Sequence, residues 1–252
     1  MRRGFERLDA LLDPAELGRL VGPIDRLDRE PMTVPGFSGS SHERVRVRLC
    51  SGATERFVLK RVSVDQAWTA YRTHDRLGRE AALLAEPALA AVWECFDDPY
   101  VAYAIEGNEI GLLMRDLSDQ LFPDVRAPLA DREESALLGA LAAMHARFWN
   151  APALELDWLT RDVDLLSMLG PHAAPEVAVT RGDHPFFIKV GDGWSLALAA
   201  MPAAVRALVT RPAAELTALY GDLPRTLVHG DCKVANFAPL PDGRVAPFDW
   251  RC

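Results

Sequence analysis

From Arg44 the chain alternates strictly, with Val45, Val47 and Leu49 set against Arg44, Arg46 and Arg48. A period of two predicts a strand with one wet face. Ser51-Gly52-Ala53-Thr54 supplies a turn, and Glu55 to Val62 reads as the returning strand. The pair makes a β-hairpin led by the loop Gly36-Phe37-Ser38-Gly39-Ser40-Ser41. Before it, residues 5–20 read as a short amphipathic helix, broken by Pro14 and ending near Gly22-Pro23. After it, residues 66–86 are rich in helix formers and predict one helix that Pro87 stops. Two short apolar runs, Val101 to Ile105 and Ile110 to Met114, flank Glu106-Gly107-Asn108 and predict a second hairpin. A helix is expected from Asp131, where Glu134 completes a capping box, with Leu137, Leu138, Leu141, Met144, His145 and Phe148 as its apolar face. Residues 150–210, punctuated by alanine and proline, read as mostly helical. Leu227-Val228 leads into a loop at His229, and Asn236 to Phe248 reads as a strand, an Asp242-Gly243 turn and a second strand.

Strands with one helix, then helices, then a last hairpin: this order predicts an α+β fold of two lobes with a cleft between them. A chain of 252 residues is long enough to bury the core such a fold needs. With 49% hydrophobic and 25% charged residues and a mean hydropathy near zero, neither disorder nor a membrane-embedded fold is suggested. The formal charge of −8, from 28 basic and 36 acidic residues, argues against nucleic acid as the main partner. Cys50, Cys95, Cys232 and Cys252 lie far apart with no C-x-x-C pair, which points to reduced thiols. No apolar signal-peptide core follows Met1-Arg2-Arg3, and no run of about 18 apolar residues occurs, so a cytoplasmic protein without membrane contact is expected.

The chemistry concentrates near the C-terminus. His229-Gly230-Asp231-Cys232-Lys233-Val234-Ala235-Asn236 spells H-x-D-x-x-x-x-N, and Phe248-Asp249-Trp250 follows the last hairpin. Phosphoryl transfer from ATP needs such a set: a carboxylate beside the acceptor hydroxyl, and an amide and a second carboxylate to hold magnesium (Mg2+) on the phosphates. Asn236 offers a neutral carbonyl and Asp249 a carboxylate, both hard oxygen ligands suited to that ion. A carboxylate with an ordinary pKa near ~4 is a poor base toward an alcohol. Asp231 would therefore act by aiming the hydroxyl and taking its proton late. The plainer alternative is a loop aspartate bonded to backbone N–H groups, a turn asparagine and a strand-end aspartate.

With these pieces in this order, the chain resembles the aminoglycoside phosphotransferase and choline kinase group, small-molecule kinases that share the protein-kinase fold. The resemblance spans Gly36 to Asp249 and is most specific from His229 to Asn236; Leu141 to Trp149 is also typical of the group. It implies a bilobal protein-kinase-like fold, with a small β-rich nucleotide-binding lobe over residues 1–115 and a mainly helical catalytic lobe over 116–252. It implies ATP and magnesium as cofactors, a small-molecule hydroxyl as acceptor, Asp231 as the catalytic aspartate, and Asn236 and Asp249 as metal ligands. Lys233 matches a lysine that meets the transferred phosphate in many protein kinases, although a solvated lysine fits the sequence as well. Lys60, in Phe57-Val58-Leu59-Lys60, falls where the family binds the α- and β-phosphates, and Glu80 falls where the family pairs that lysine. Val58 shares the face of Lys60 by period two and would roof the adenine. Ser38, Gly39 and Ser40 loosely match the phosphate-covering loop, which here has two glycines where the family has three. Met114-Arg115-Asp116-Leu117 resembles the hinge whose backbone meets the adenine edge, and Asp116 would equally cap the next segment.

Two departures stand out. Pro247 removes a backbone donor just before Phe248-Asp249, which suits an edge or a bulge and predicts a displaced hairpin. The family continues with helices that build much of the acceptor pocket, whereas this sequence ends at Cys252, so a C-terminally truncated catalytic lobe is expected. A catalytically inactive kinase-like fragment, binding nucleotide or a partner without turnover, stands as the alternative function. An unrelated hydrolase built on His229 and Asp231 would need further ligands, and His42, His74, His172 and His184 show no H-x-x-x-H spacing.

Overall fold

The alternating run does build the central hairpin. The structure, a computed structural model, describes residues 3–33, 40–122, 127–168, 170–171 and 185–252. Strands β3 (Ser41–Leu49) and β4 (Thr54–Ser63) pair antiparallel across the Ser51-Gly52 turn. They lie in a six-stranded sheet with β1 (Arg3–Phe5), β2 (Ile24–Met32), β5 (Tyr100–Glu106) and β6 (Glu109–Arg115), in the order β1-β5-β6-β4-β3-β2. All neighbours run antiparallel except β1 and β5. Val45, Val47, Phe57, Leu59, Ala102, Ala104 and Leu113 form the buried core with Leu11 and Leu17. The opposite face carries Val58 and Lys60 beside their cross-strand partners Met114 and Leu112.

Several elements differ from expectation, each for a local reason. Pro14 begins a helix instead of breaking one. The carboxylate of Asp13 caps α1 (Pro14–Val21) by accepting from Ala15 N at 2.9 Å and Glu16 N at 3.0 Å. Phe5 belongs to β1, a strand. Strand β2 shows no apolar alternation because it is an edge strand protected by charge; Arg29 reaches Glu43 of β3 at 2.7 and 2.8 Å. Residues 66–86 are two helices, α2 (Trp68–Arg72) and α3 (Arg79–Ala85). Gly78 separates them: its φ of 70° is left-handed, and a Cβ there would stand 2.6 Å from the Ile110 side chain. Pro87 opens a single turn, Pro87–Leu89, ahead of α4 (Val92–Cys95). Helix α5 (Asp131–Arg147) is closed one residue early, by the Ala130 N–H donating to Glu133 at 3.1 Å, in place of the Asp131 and Glu134 pair. Leu137, Met144 and Phe148 are buried as expected, whereas Leu138 is exposed.

The chain divides into two compact units. Met1–Trp68, Arg76–Leu159 and Pro224–Cys252 form the first, which contains the sheet, α5 and a hairpin of β7 (Phe237–Pro239) and β8 (Val245–Pro247). Thr69–Asp75 and Thr160–Leu223 form the second, with α6 (Asp162–Met168), α7 (Pro185–Ala200), α8 (Ala203–Val209) and α9 (Ala213–Ala218). Proline at 202 and 212 occupies the position just before α8 and α9, and α6 packs on α9. Among the described residues no helix is long and apolar enough to cross a membrane.

In the first unit, Pro247 pairs with Phe237 in an unbroken register, and a two-stranded ladder has edges enough to hold it. The hairpin is also tied to the sheet. Asp97, just before β5, donates its N–H to Val245 O at 2.9 Å. Its carboxylate accepts from Arg244 at 3.0 Å and from Arg115 at the end of β6. Arg244 further donates to Phe96 O at 2.8 Å.

Candidate active site

Gly230 makes the turn that sets Asp231. Its φ of 82° is left-handed, and a Cβ would stand 2.5 Å from the carbonyl carbon of Arg251, so the loop closes on that segment only with glycine here. The Arg251 N–H donates to His229 O at 2.9 Å and the Phe248 N–H to Asn236 O at 3.1 Å, lacing the two segments together. His229, 1% exposed, fills the space between them. Its ring centroid lies 4.5 Å from Trp250 and 5.0 Å from Phe237, and both of these pack on Phe96. Nε2 lies 3.1 Å from Phe248 O, and Nδ1 accepts from the Asp231 N–H at 3.3 Å. These partners assign a neutral imidazole protonated on Nε2. Burial lowers its pKa in the same sense. His229 braces the loop.

Asp231 Oδ2 accepts from Lys233 Nζ at 2.7 Å and from Asn236 Nδ2 at 3.0 Å. The same amide nitrogen reaches Asp231 O at 2.9 Å, which commits Nδ2 and turns the Asn236 carbonyl the other way. Among the described residues no donor reaches Asp231 Oδ1. Asp249 takes a φ of 64°, a left-handed conformation uncommon outside glycine. Its N–H donates to Glu80 Oε1 at 2.8 Å, and its Oδ1 accepts from Lys60 Nζ at 2.7 Å. Lys60 donates to Glu80 Oε2 at 2.5 Å, and Tyr100 OH to Glu80 Oε1 at 2.5 Å.

Lys60 and Glu80 are only 6% and 8% exposed, so their charges depend on each other. Burial works against the Lys60 ammonium, but Glu80 and Asp249 outweigh it and raise its pKa. Burial likewise opposes the Asp249 carboxylate, and Lys60 with Arg251 overcomes it, holding the group well below the usual carboxylate range. Burial, then Glu80, pushes the Tyr100 phenol well up, so it remains a donor.

The remaining expected residues fall as follows. Val58 stands opposite Met114, next to Lys60 on one sheet face. Ser40 directly precedes β3, whose His42 pairs across to Lys60. Ser38 and Gly39 lie outside the described residues. The Asp116 side chain is taken up in a turn: it accepts from Ser118 N at 3.0 Å and Ser118 Oγ at 2.5 Å, with Arg44 at 3.3 Å. Its N–H donates to Arg56 O at 3.0 Å, so both its side chain and its backbone donor are engaged within the sheet and the Ser118 turn. Tyr100 and Arg251 escape sequence reasoning. Tyr100 borders a plain apolar run, whereas Arg251, two residues past Asp249, is findable by asking which cation follows the second carboxylate.

Among the described residues no three His, Cys, Asp or Glu side chains converge as a metal site. The carbonyl of Asn236 and the carboxylate of Asp249 are a pair of hard oxygens. That set fits magnesium, which keeps water and phosphate as its other ligands, and does not fit a zinc-type centre. No individual curated protein matches the chain. A family model does: the phosphotransferase enzyme family, APH, matches residues 33–252, a span that holds Lys60, Glu80, Asp231, Asn236 and Asp249. In keeping with its likeness to the aminoglycoside phosphotransferase and choline kinase group, the chain belongs to the phosphotransferase enzyme family.

Proposed function

We propose that the chain transfers the γ-phosphate of ATP, with magnesium, to a hydroxyl of a small molecule. The observation that carries this reading is Lys60, bonded at once to Glu80 and Asp249, with Asn236 bonded to Asp231 in the same unit. Lys60, kept charged by its two partners, would bind the α- and β-phosphates. Val58 and Met114 would cover the adenine, and Ser40 would approach the phosphates from the head of β3. Residues 1–115 would thus supply the nucleotide side and 116–252 the catalytic loop. Asn236 and Asp249 would hold magnesium, which would neutralise the charge of the phosphates.

Asn236 and Lys233 fix Asp231 through Oδ2, which leaves Oδ1 to receive the acceptor hydroxyl. The hydroxyl proton passes to that oxygen as the phosphoryl group arrives. Lys233, exposed beside Asp231, would meet the transferred phosphate. Positioning and charge neutralisation supply the rate, and no covalent enzyme intermediate is needed. The acidic charge and scattered thiols favour a cytoplasmic enzyme acting on free small molecules, without nucleic acid or membrane partners.

Magnesium-dependent ATP consumption across a panel of hydroxylated acceptors tests the proposal. Turnover is expected in the wild type and a loss of about 100-fold or more in Asp231→Asn. Equal rates would remove Asp231 from its role. Thermal stabilisation by nucleotide, with no turnover on any acceptor, would favour a binding chain over an enzyme.

A further inference from the structure

Arg251 has no part in the mechanism above, yet the fold delivers it to the middle of the site. Its N–H is bound to His229 O at 2.9 Å, and its backbone closes against Gly230, so the side chain starts from a fixed point. From there Nη2 lies 3.4 Å from Asp249 Oδ2, and Nε lies 3.8 Å from Asp231 Oδ2. The other Asp249 oxygen is bonded to Lys60, and Asp231 is bonded to Lys233. Lys60, Lys233 and Arg251 therefore stand against Glu80, Asp231 and Asp249, three positive groups on three negative ones.

We propose that Arg251 is a positioning residue that competes with the divalent ion for Asp249 and thereby makes metal and nucleotide binding depend on each other. The inference rests on the function proposed above. An ion that takes Asp249 Oδ2 meets a guanidinium already against that oxygen, and two cations on one carboxylate repel. Phosphate oxygens offer the guanidinium another partner, because its planar fork matches phosphate well. Nucleotide thus draws Arg251 away from Asp249 and opens the carboxylate to the ion. By linkage the ion, in displacing Arg251, tightens nucleotide binding to the same degree. Lys60 alone does not give this coupling, since Glu80 holds it whether or not Asp249 is engaged.

The test is manganese binding to the full chain, read from loss of the free-ion paramagnetic resonance signal, with and without a non-hydrolysable ATP analogue. The affinity of manganese for the analogue in solution is common to every variant and cancels in the comparison. Arg251→Gln is expected to bind manganese alone about tenfold tighter and to show about tenfold less coupling between ion and analogue. Arg251→Lys, which keeps the charge, should stay nearer the wild type on both counts. Arg251→Met, which keeps the aliphatic stem, takes the place of Arg251→Gln if that variant does not fold. Unchanged or weaker manganese affinity with unchanged coupling in the neutral variant overturns the proposal. Asp249→Asn separates the two levels. If it loses manganese while the neutral Arg251 variant behaves as the wild type, only the inference falls. If it binds manganese and analogue as the wild type does, the reading of the site falls and the inference with it.

Discussion

Glu80 is the residue on which the site converges. One carboxylate accepts from a strand lysine, a strand tyrosine and the backbone of Asp249, within 2.5 to 2.8 Å. Tyr100→Phe removes one donor from a buried acceptor and is expected to cost about 1–3 kcal/mol, read as a lower denaturation midpoint. Weaker nucleotide binding should accompany it, because Glu80 then holds Lys60 less firmly. Acid should act in two steps. His229 has its pKa lowered by burial, so its contribution is complete above the unfolded value of about 6.5 and is lost as the pH falls below it. Asp249 is held below its unfolded value of about 3.9, so its contribution is complete above that pH and fades beneath it. A melting series against pH should show both steps. His229→Gln should shrink the upper one, to which half-buried His42 also contributes. Asp249→Asn should shrink the lower, to which Asp116, whose pKa is likewise lowered, contributes as well. The pairings of Lys60 with Glu80 and of Asp231 with Asn236 are legible through the family resemblance and the H-x-D-x-x-x-x-N spacing, and the structure brings each pair together. Tyr100 is not legible, since its role comes from a contact across to α3 that no local pattern encodes.

At the scale of elements, the His229–Asn236 loop depends on one backbone conformation. Gly230→Ala asks an L-residue to hold φ of 82° and pushes a methyl onto the Arg251 backbone. The left-handed conformation alone costs about 1–2 kcal/mol. Lower stability with a larger fall in turnover is the expected outcome, measured by melting and by ATP consumption. A variant with full activity would show that the loop tolerates another path. The hairpin from β3 to β4 follows from alternation, and the pair β5–β6 from two short apolar runs around the Gly107 turn. Strand β2 does not, because an edge strand keeps its place by cross-strand charge and shows little apolar rhythm. The break at Gly78 is equally silent: its neighbours favour helix, and the need for a left-handed turn comes from Ile110, distant in sequence. Asp13 ahead of Pro14 is legible in hindsight as a cap followed by a first-turn proline.

At the scale of the molecule, the first unit contains every described residue of the proposed nucleotide site, so ligand binding should stabilise that unit directly. Nucleotide with magnesium at 100 times its dissociation constant is expected to add about 2.7 kcal/mol, and Lys60→Ala should abolish the increment. A thermal-shift titration on the two chains checks this. The second unit, helical as its alanine-rich composition implies, has exposed apolar side chains including Leu196, Leu219 and Leu223. Asp97 has a different bearing on the first unit. Because it joins the end of β6 to the hairpin beside the His229–Asn236 loop, Lys60 and Asp231 are linked through these bonds within one compact unit. An ion pair far in sequence from either group thereby anchors the strand lysine and the loop aspartate to a common support.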